Sequence, residues 1–158
     1  MGSDTYTYGA RFYDRLIEPF LSSVRRKTAA LIAAQARRDS AFRILEVACG
    51  TGSQALRLAE AGFRITGVDK SMSMLSEAAK KRRHTADGAF FLAGADAAAL
   101  PFADGVFDAV VVQLGLHEMR GPTRSATLAK RFGCPGPVPR FWLWIFYRLP
   151  GLPPPTRP

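Results

Sequence analysis

The chain has 158 residues, 47% apolar and 22% charged, which suits one folded domain and excludes a disordered chain. Its net charge is +9, yet residues 1–118 hold 15 basic against 13 acidic side chains, while residues 119–158 hold seven basic and none acidic. The excess belongs to the tail, so the body offers little to a phosphate backbone and nucleic acid is not expected as a partner.

The opening, Tyr6 to Arg38, reads as helix. Phe12, Leu16, Phe20 and Val24 recur at four-residue spacing, Leu31 and Ile32 continue the apolar face, and Pro19 is expected to break the helix or start a second one. Arg25, Arg26, Lys27, Arg37 and Arg38 are expected on the solvated side. From Phe42 the period shortens. Arg43 to Ala48 is an apolar strand that runs into the turn Cys49-Gly50-Thr51-Gly52. Ser53 is expected to cap a helix from Gln54 to Ala61, stopped by Gly62. Arg64–Asp69 is a second strand, and Ser71 starts a helix to about Arg83. Ala89–Ala93 and Phe107–Gln113 are a third and a fourth strand. Strand and helix alternating over short turns implies a parallel sheet with helices on both faces, an α/β fold of the doubly wound kind.

The chain changes character near residue 130. Eight of its eleven prolines lie between Pro135 and Pro158, around the aromatic run Phe141–Tyr147. The expected organisation is a helical cap over residues 1–40, a ligand-binding α/β domain over 41–130 and an atypical basic, aromatic, proline-rich tail over 131–158. No apolar run approaches the roughly 18 residues of a membrane span. Cys49 and Cys134 make neither a disulfide framework nor a zinc set, and no metal site is expected. A reducing, cytoplasmic setting follows.

Four features fall in order at the carboxyl ends of strands, where a doubly wound sheet binds ligands. Glu46 precedes a turn whose Gly50 and Gly52 let a ligand approach the backbone, and the next helix offers free amides and a positive dipole end. Asp69 ends the second strand, seventeen residues after Gly52, where a carboxylate can accept from two ribose hydroxyls. Asp96 follows the third strand, within Asp96-x-x-x-Leu100-Pro101-Phe102. Gln113 ends the fourth, with His117 just beyond.

This constellation resembles the class I S-adenosylmethionine-dependent methyltransferases, nearest the branch of the ubiquinone and menaquinone biosynthesis C-methyltransferases. The matching segments are Ile44–Gly52, Gly67–Leu75, Ala95–Phe102 and Phe107–Met119, with the Tyr8–Asp14 opening, about residues 8–120 in all. The resemblance implies a Rossmann-like sheet, S-adenosyl-L-methionine as cofactor and methyl transfer to a small or lipid-like acceptor such as a quinone precursor. It implies Glu46 and Gln113 near the methionyl ammonium, Gly50 and Gly52 under the methionine part and ribose, and Asp69 on the ribose hydroxyls. It places Asp96 on the adenine amino group, the Ala97 backbone near the ring and Tyr13 by the methionyl carboxylate. Lys70 stands where an apolar residue usually covers the adenine, so its stem would do so. Ala48 replaces a glycine of the fuller motif. His117 is the candidate base, beside its other reading as a structural histidine.

Against this stand a nicotinamide oxidoreductase, which the loose pattern Gly50-x-Gly52-x-x-Ala55 and Asp69 would also suit, and a cofactor-binding module without catalysis. After residue 120 the family adds a helix, a fifth strand and a hairpin, leaving this sheet incomplete at its C-terminal edge. The aromatic run is open to three readings. It could serve as strand five, or lie on an anionic membrane as a peripheral contact. It could also belong to a segment translated out of frame from about Lys130. In the frame that joins the third base of each codon to the next two, Phe141-Trp142 must read Leu and Trp144-Ile145 must read Asp. Where Leu143 uses a CT-type codon, the shifted run has the Leu-Ala-apolar-Asp pattern of the family's fifth strand.

Overall fold

The computed structural model describes Tyr6 and residues 9–36, 42–103, 106–113 and 142–145. Five strands form one parallel sheet: β1 (Arg43–Val47), β2 (Arg64–Asp69), β3 (Phe90–Gly94), β4 (Ala109–Gln113) and β5 (Trp142–Ile145), in the order β3-β2-β1-β4-β5. Valine, isoleucine and leucine fill the central strands because both faces of such a sheet are covered, and every residue of β4 is buried. The chain steps outward from β1 to β2 to β3, then crosses back to β4 on the other side of β1. That reversal opens a crevice between the carboxyl ends of β1 and β4.

Among the described residues, α1 (Ala10–Ala36), α2 (Ser53–Glu60) and α3 (Met72–Arg82) pack on one face. Ile32, Ala36, Ala55, Leu58 and Ala78 meet Ile44, Ile65, Phe90 and Val111 there. The opposite face, Leu45, Val47, Val68, Val110 and Val112, is covered by Leu100, Phe102, Val106 and Phe107 from the β3–β4 connection. Phe102 and Phe107 meet edge-on, centroids 5.0 Å apart.

The N-terminal helix departs from the sequence expectation in three ways. It runs unbroken through Pro19. A proline inside a helix costs about 3 kcal/mol, but contacts on both sides of it hold α1 in place. Asp14 and Glu18 bind the sheet domain before Pro19 and beside it, and Leu21, Thr28 and Ile32 are buried after it. The packed stripe is also a different one: Phe12, Leu16 and Phe20 are 52%, 66% and 68% exposed, whereas Leu21, Arg25, Thr28, Ile32 and Ala36 face the core. Arg25 is therefore buried rather than solvated, while Arg26 and Lys27 are exposed as expected. Arg37 and Arg38 lie outside the described residues.

At the start of α2 the cap is Gly52 in the left-handed region, with no side-chain cap bond, and Ser53 is the first helical residue. The turn arrives already bent, which leaves the Ser53 hydroxyl to α1. Ser71 caps α3 as expected, accepting from the Met74 N–H at 3.2 Å. The aromatic run supplies β5, with Trp142 opposite Val110 and Ile145 opposite Gln113. Those four residues are all that is described beyond Gln113, so the rest of the tail and its reading frame lie outside the described residues.

Candidate functional site

The turn after β1 is built from three left-handed residues, Ala48 at φ 56°, Gly50 at φ 55° and Gly52 at φ 71°. The two glycines serve different ends. A Cβ on Gly50 would meet nothing within 4 Å, so that side of the turn is open to a ligand. A Cβ on Gly52 would lie 2.9 Å from the Phe90 ring and 3.0 Å from Ala78, so its smallness lets α2 approach β3 and α3. Ala48 holds the same conformation with a side chain, which favours glycine by roughly 1 kcal/mol.

Asp69 ties this turn to β2. Its Oδ2 accepts from the Gly50 N–H at 2.8 Å and its Oδ1 from the Ser71 N–H at 2.9 Å. A half-buried carboxylate with fixed orientation thus stands at the strand end. Cys49 is buried beneath it. Burial, then the charges of Glu46 and Asp69, push its thiol well above the ordinary range, so it is a packed thiol and not a nucleophile.

The crevice between β1 and β4 has a different character. Glu46 faces the helices, opposite Val111 in register, and Gln113 follows two residues on along the same face. Glu46 is 2% and Gln113 6% exposed. Glu46 Oε2, Gln113 Nε2 and both amide atoms of Gln54 on α2 are buried with no hydrogen-bond partner among the described residues. Burial raises the Glu46 carboxyl to about 8, although the Arg25 guanidinium and the Ala55 backbone N–H draw it down. A buried amide or carboxyl without a partner costs about 1–3 kcal/mol, and several share this one crevice.

α1 closes over both regions. Asp14 Oδ1 accepts from the Thr51 hydroxyl at 2.5 Å and the Ser53 hydroxyl at 2.9 Å. Lys81 from α3 pairs with Asp14 and donates to Ser53 at 2.6 Å. Burial pushes the Asp14 carboxyl up, but bonds from Lys81, Thr51 and Ser53 and the Lys81 charge bring it below its usual value. One turn along, Glu18 pairs with Arg57 at 3.0 Å and with Arg25. None of Asp14, Arg25, Gln54 or Lys81 was singled out for the site from sequence. The available signal was the spacing that puts Asp14, Leu21, Arg25, Thr28 and Ile32 on one helical face, and the polar members read as solvent-facing.

The remaining candidates fall around this centre. Asp96 is exposed past β3, its Oδ1 accepting from the Ala98 N–H at 2.8 Å, and Ala97 is half-buried against the core. Lys70 is exposed at the end of β2. Tyr13 is half-buried on α1, edge-on to Tyr6 with centroids 6.3 Å apart. His117 lies outside the described residues. Among the described residues no helix is long and apolar enough to cross a membrane.

A parallel sheet with a left-handed turn after β1, an anchored acid ending β2 and a polar crevice at the chain reversal defines a Rossmann-like ligand-binding domain. The chain belongs to the methyltransferase-domain family, whose model matches residues 44–134. It is 42% identical over 94 residues to the demethylmenaquinone methyltransferase of Renibacterium salmoninarum, covering 60% of this chain and 38% of that protein. It is 31% identical over 150 residues to the ubiquinone/menaquinone biosynthesis C-methyltransferase UbiE of Methylobacterium nodulans, covering 90% and 59%. The chain thus spans well under two thirds of these relatives. The magnesium protoporphyrin IX methyltransferase of Synechocystis, with bound SAM, shares the fold at TM-score 0.62 and 21% identity, over 79% of this chain and 65% of that one. The [4+2]-cyclase SpnF matches at TM-score 0.56 and 30% identity, over 65% and 38%.

Proposed function

We propose that this chain binds S-adenosylmethionine at the carboxyl ends of β1, β2 and β4 and belongs to an enzyme that methylates a small or lipid-like acceptor, such as a quinone precursor. The observation that carries the reading is Glu46 Oε2 on β1, buried and, like Gln113 Nε2 on the neighbouring strand, without a partner among the described residues, next to an open glycine turn. An α-amino acid head group answers both atoms, its ammonium toward Glu46 and its carboxylate within reach of amide donors. Asp69, oriented at the end of β2 by two backbone amides, is the carboxylate that would meet the ribose hydroxyls. Asp96 and the Ala97 backbone would receive the adenine edge, with the Lys70 stem over the ring, and Tyr13 would approach from α1.

The cofactor supplies an already activated methyl group when bound, so the protein's task is chiefly to position and to exclude water. Glu46 would hold the methionyl end of the ligand and Asp69 its ribose, and Asp14 keeps α1 closed over the turn through Thr51, Ser53 and Lys81. A base is needed where the acceptor must lose a proton, and His117 is the candidate. A nicotinamide dinucleotide suits the site less well, because Glu46 before the turn offers nothing to a second phosphate. The near balance of charge over residues 1–118 and the relatives' names favour a quinone-like acceptor over RNA, and a buried free thiol at Cys49 suits the cytoplasm.

A methyl-transfer screen with label on the cofactor, run against quinone precursors, phospholipids, small amines and RNA, tests the acceptor. Label in a quinone precursor is expected. Label in RNA alone overturns the choice.

A further inference from the structure

Among the described residues, the outward face of α1 is exposed and has a consistent chemistry. Phe12, Leu16 and Phe20 follow one another at four-residue spacing and are 52%, 66% and 68% exposed, and Leu31, 49% exposed, continues the stripe. Phe12 to Phe20 span about 12 Å of the helix, and Leu31 stands about 16 Å further along, past the exposed Lys27. The exposed charges beside it are Arg11, Arg15, Arg26 and Lys27, all cationic. The two acids of α1, Asp14 and Glu18, turn inward to Lys81 and to Arg25 and Arg57. Arg11 belongs to the edge of this face, its guanidinium 5.3 Å from the Phe12 ring centroid. It also lines, with Met72 and Ser76 of α3, a groove of about 470 Å³, where Met72 is itself 66% exposed and the acid present, Glu77, is paired with Lys80 at 2.7 Å.

We propose that α1 is an interfacial helix which seats this domain on an anionic lipid surface through Phe12, Leu16 and Phe20. A convex helix with an apolar stripe, basic flanks and no outward acid matches a layer of acyl chains under negative headgroups. A second copy of the chain is a poor occupant. It would bring the four cations of α1 against four more, with no outward carboxylate on either α1 to pair with them. Long arginine and lysine stems can lie along the apolar stripe while their charges reach the phosphates. Such seating turns the groove between α1 and α3 toward the membrane, which suits a lipid-like acceptor but does not depend on the methyl-transfer reading.

Sedimentation of the full chain with vesicles of phosphatidylglycerol and phosphatidylcholine, against phosphatidylcholine alone, tests the proposal. Binding is expected only to the anionic vesicles and should weaken as salt is raised. The triple variant Phe12→Ser, Leu16→Ser, Phe20→Ser changes exposed side chains only, and its circular dichroism should match the parent. It should bind at least about tenfold more weakly. Arg15→Gln with Arg26→Gln, a milder change, should weaken binding in the same direction. Absence of vesicle binding, or binding that both variants retain in full, overturns the proposal. So does a concentration-dependent dimer that the triple variant abolishes, which would assign the face to a second copy. Affinity for S-adenosylhomocysteine, measured in parallel, reports on the cofactor site separately.

Discussion

The two halves of the crevice differ in how they meet their polar groups. At the end of β2 the Asp69 carboxylate is fixed by the Gly50 and Ser71 amides before any ligand arrives. At the ends of β1 and β4, Glu46, Gln54 and Gln113 carry buried atoms that nothing among the described residues satisfies. One half presents a carboxylate already fixed in orientation. The other stores an electrostatic cost that a charged head group would relieve. The difference says that shape is set on the β2 side and charge recognition on the β1–β4 side.

The largest way to disturb that contrast is through Arg25, which is buried and pairs with Glu18 beside the Glu46 crevice. Arg25→Met should cost about 2–3 kcal/mol of stability in denaturant unfolding, because Glu18 loses one of its two cationic partners and Glu46 the cation that draws it down most. An unchanged midpoint would mean that the crevice does not depend on α1. Asp69→Ala comes next. It should lower affinity for S-adenosylhomocysteine by about 1.5–3 kcal/mol, roughly ten- to a hundredfold. Retained affinity would remove Asp69 from the site.

The charge-recognition half can be read by pH. Glu46 ionises near 4.5 when exposed and at about 8 when folded. A raised folded value means that its contribution to stability is full below pH 4.5 and is lost as pH rises toward 8. Glu46→Gln should flatten the stability profile across that window, and an unaltered profile would assign the dependence elsewhere. The smallest effect sharpens the turn itself. Ala48→Gly should stabilise the protein by up to about 1 kcal/mol in thermal unfolding, since φ 56° suits glycine better, and a loss of stability would show that the methyl group is needed for packing.

Much of the sheet was legible because short Val/Ile/Leu runs bounded by turns leave little choice of element, and boundaries moved by only one or two residues. The glycine turn, Asp69 and Gln113 were legible through their order along the chain, and the structure brings them to the carboxyl ends of adjoining strands. α1 was not. Hydrophobicity selected Phe12, Leu16 and Phe20 as its buried side, yet the helix buries Arg25 and Thr28 and turns the phenylalanines outward. Local pattern weighs a side chain by its own polarity, whereas the seat of α1 is decided by partners 30 or more residues away, Thr51, Ser53, Arg57 and Lys81. The same gap explains Ser53, a good cap by type that the strained turn frees for Asp14.

In the proposed complex the Glu46 end of the crevice receives a cationic amino-acid head group. Calorimetric titration of S-adenosylhomocysteine into the full chain at pH 7, repeated in buffers of different ionisation enthalpy, measures this directly. An ammonium placed against Glu46 draws down its pKa, so the account predicts binding with release of a fraction of a proton, and loss of that release in Glu46→Gln. No heat with S-adenosylhomocysteine, together with tight binding of a nicotinamide dinucleotide, would contradict it.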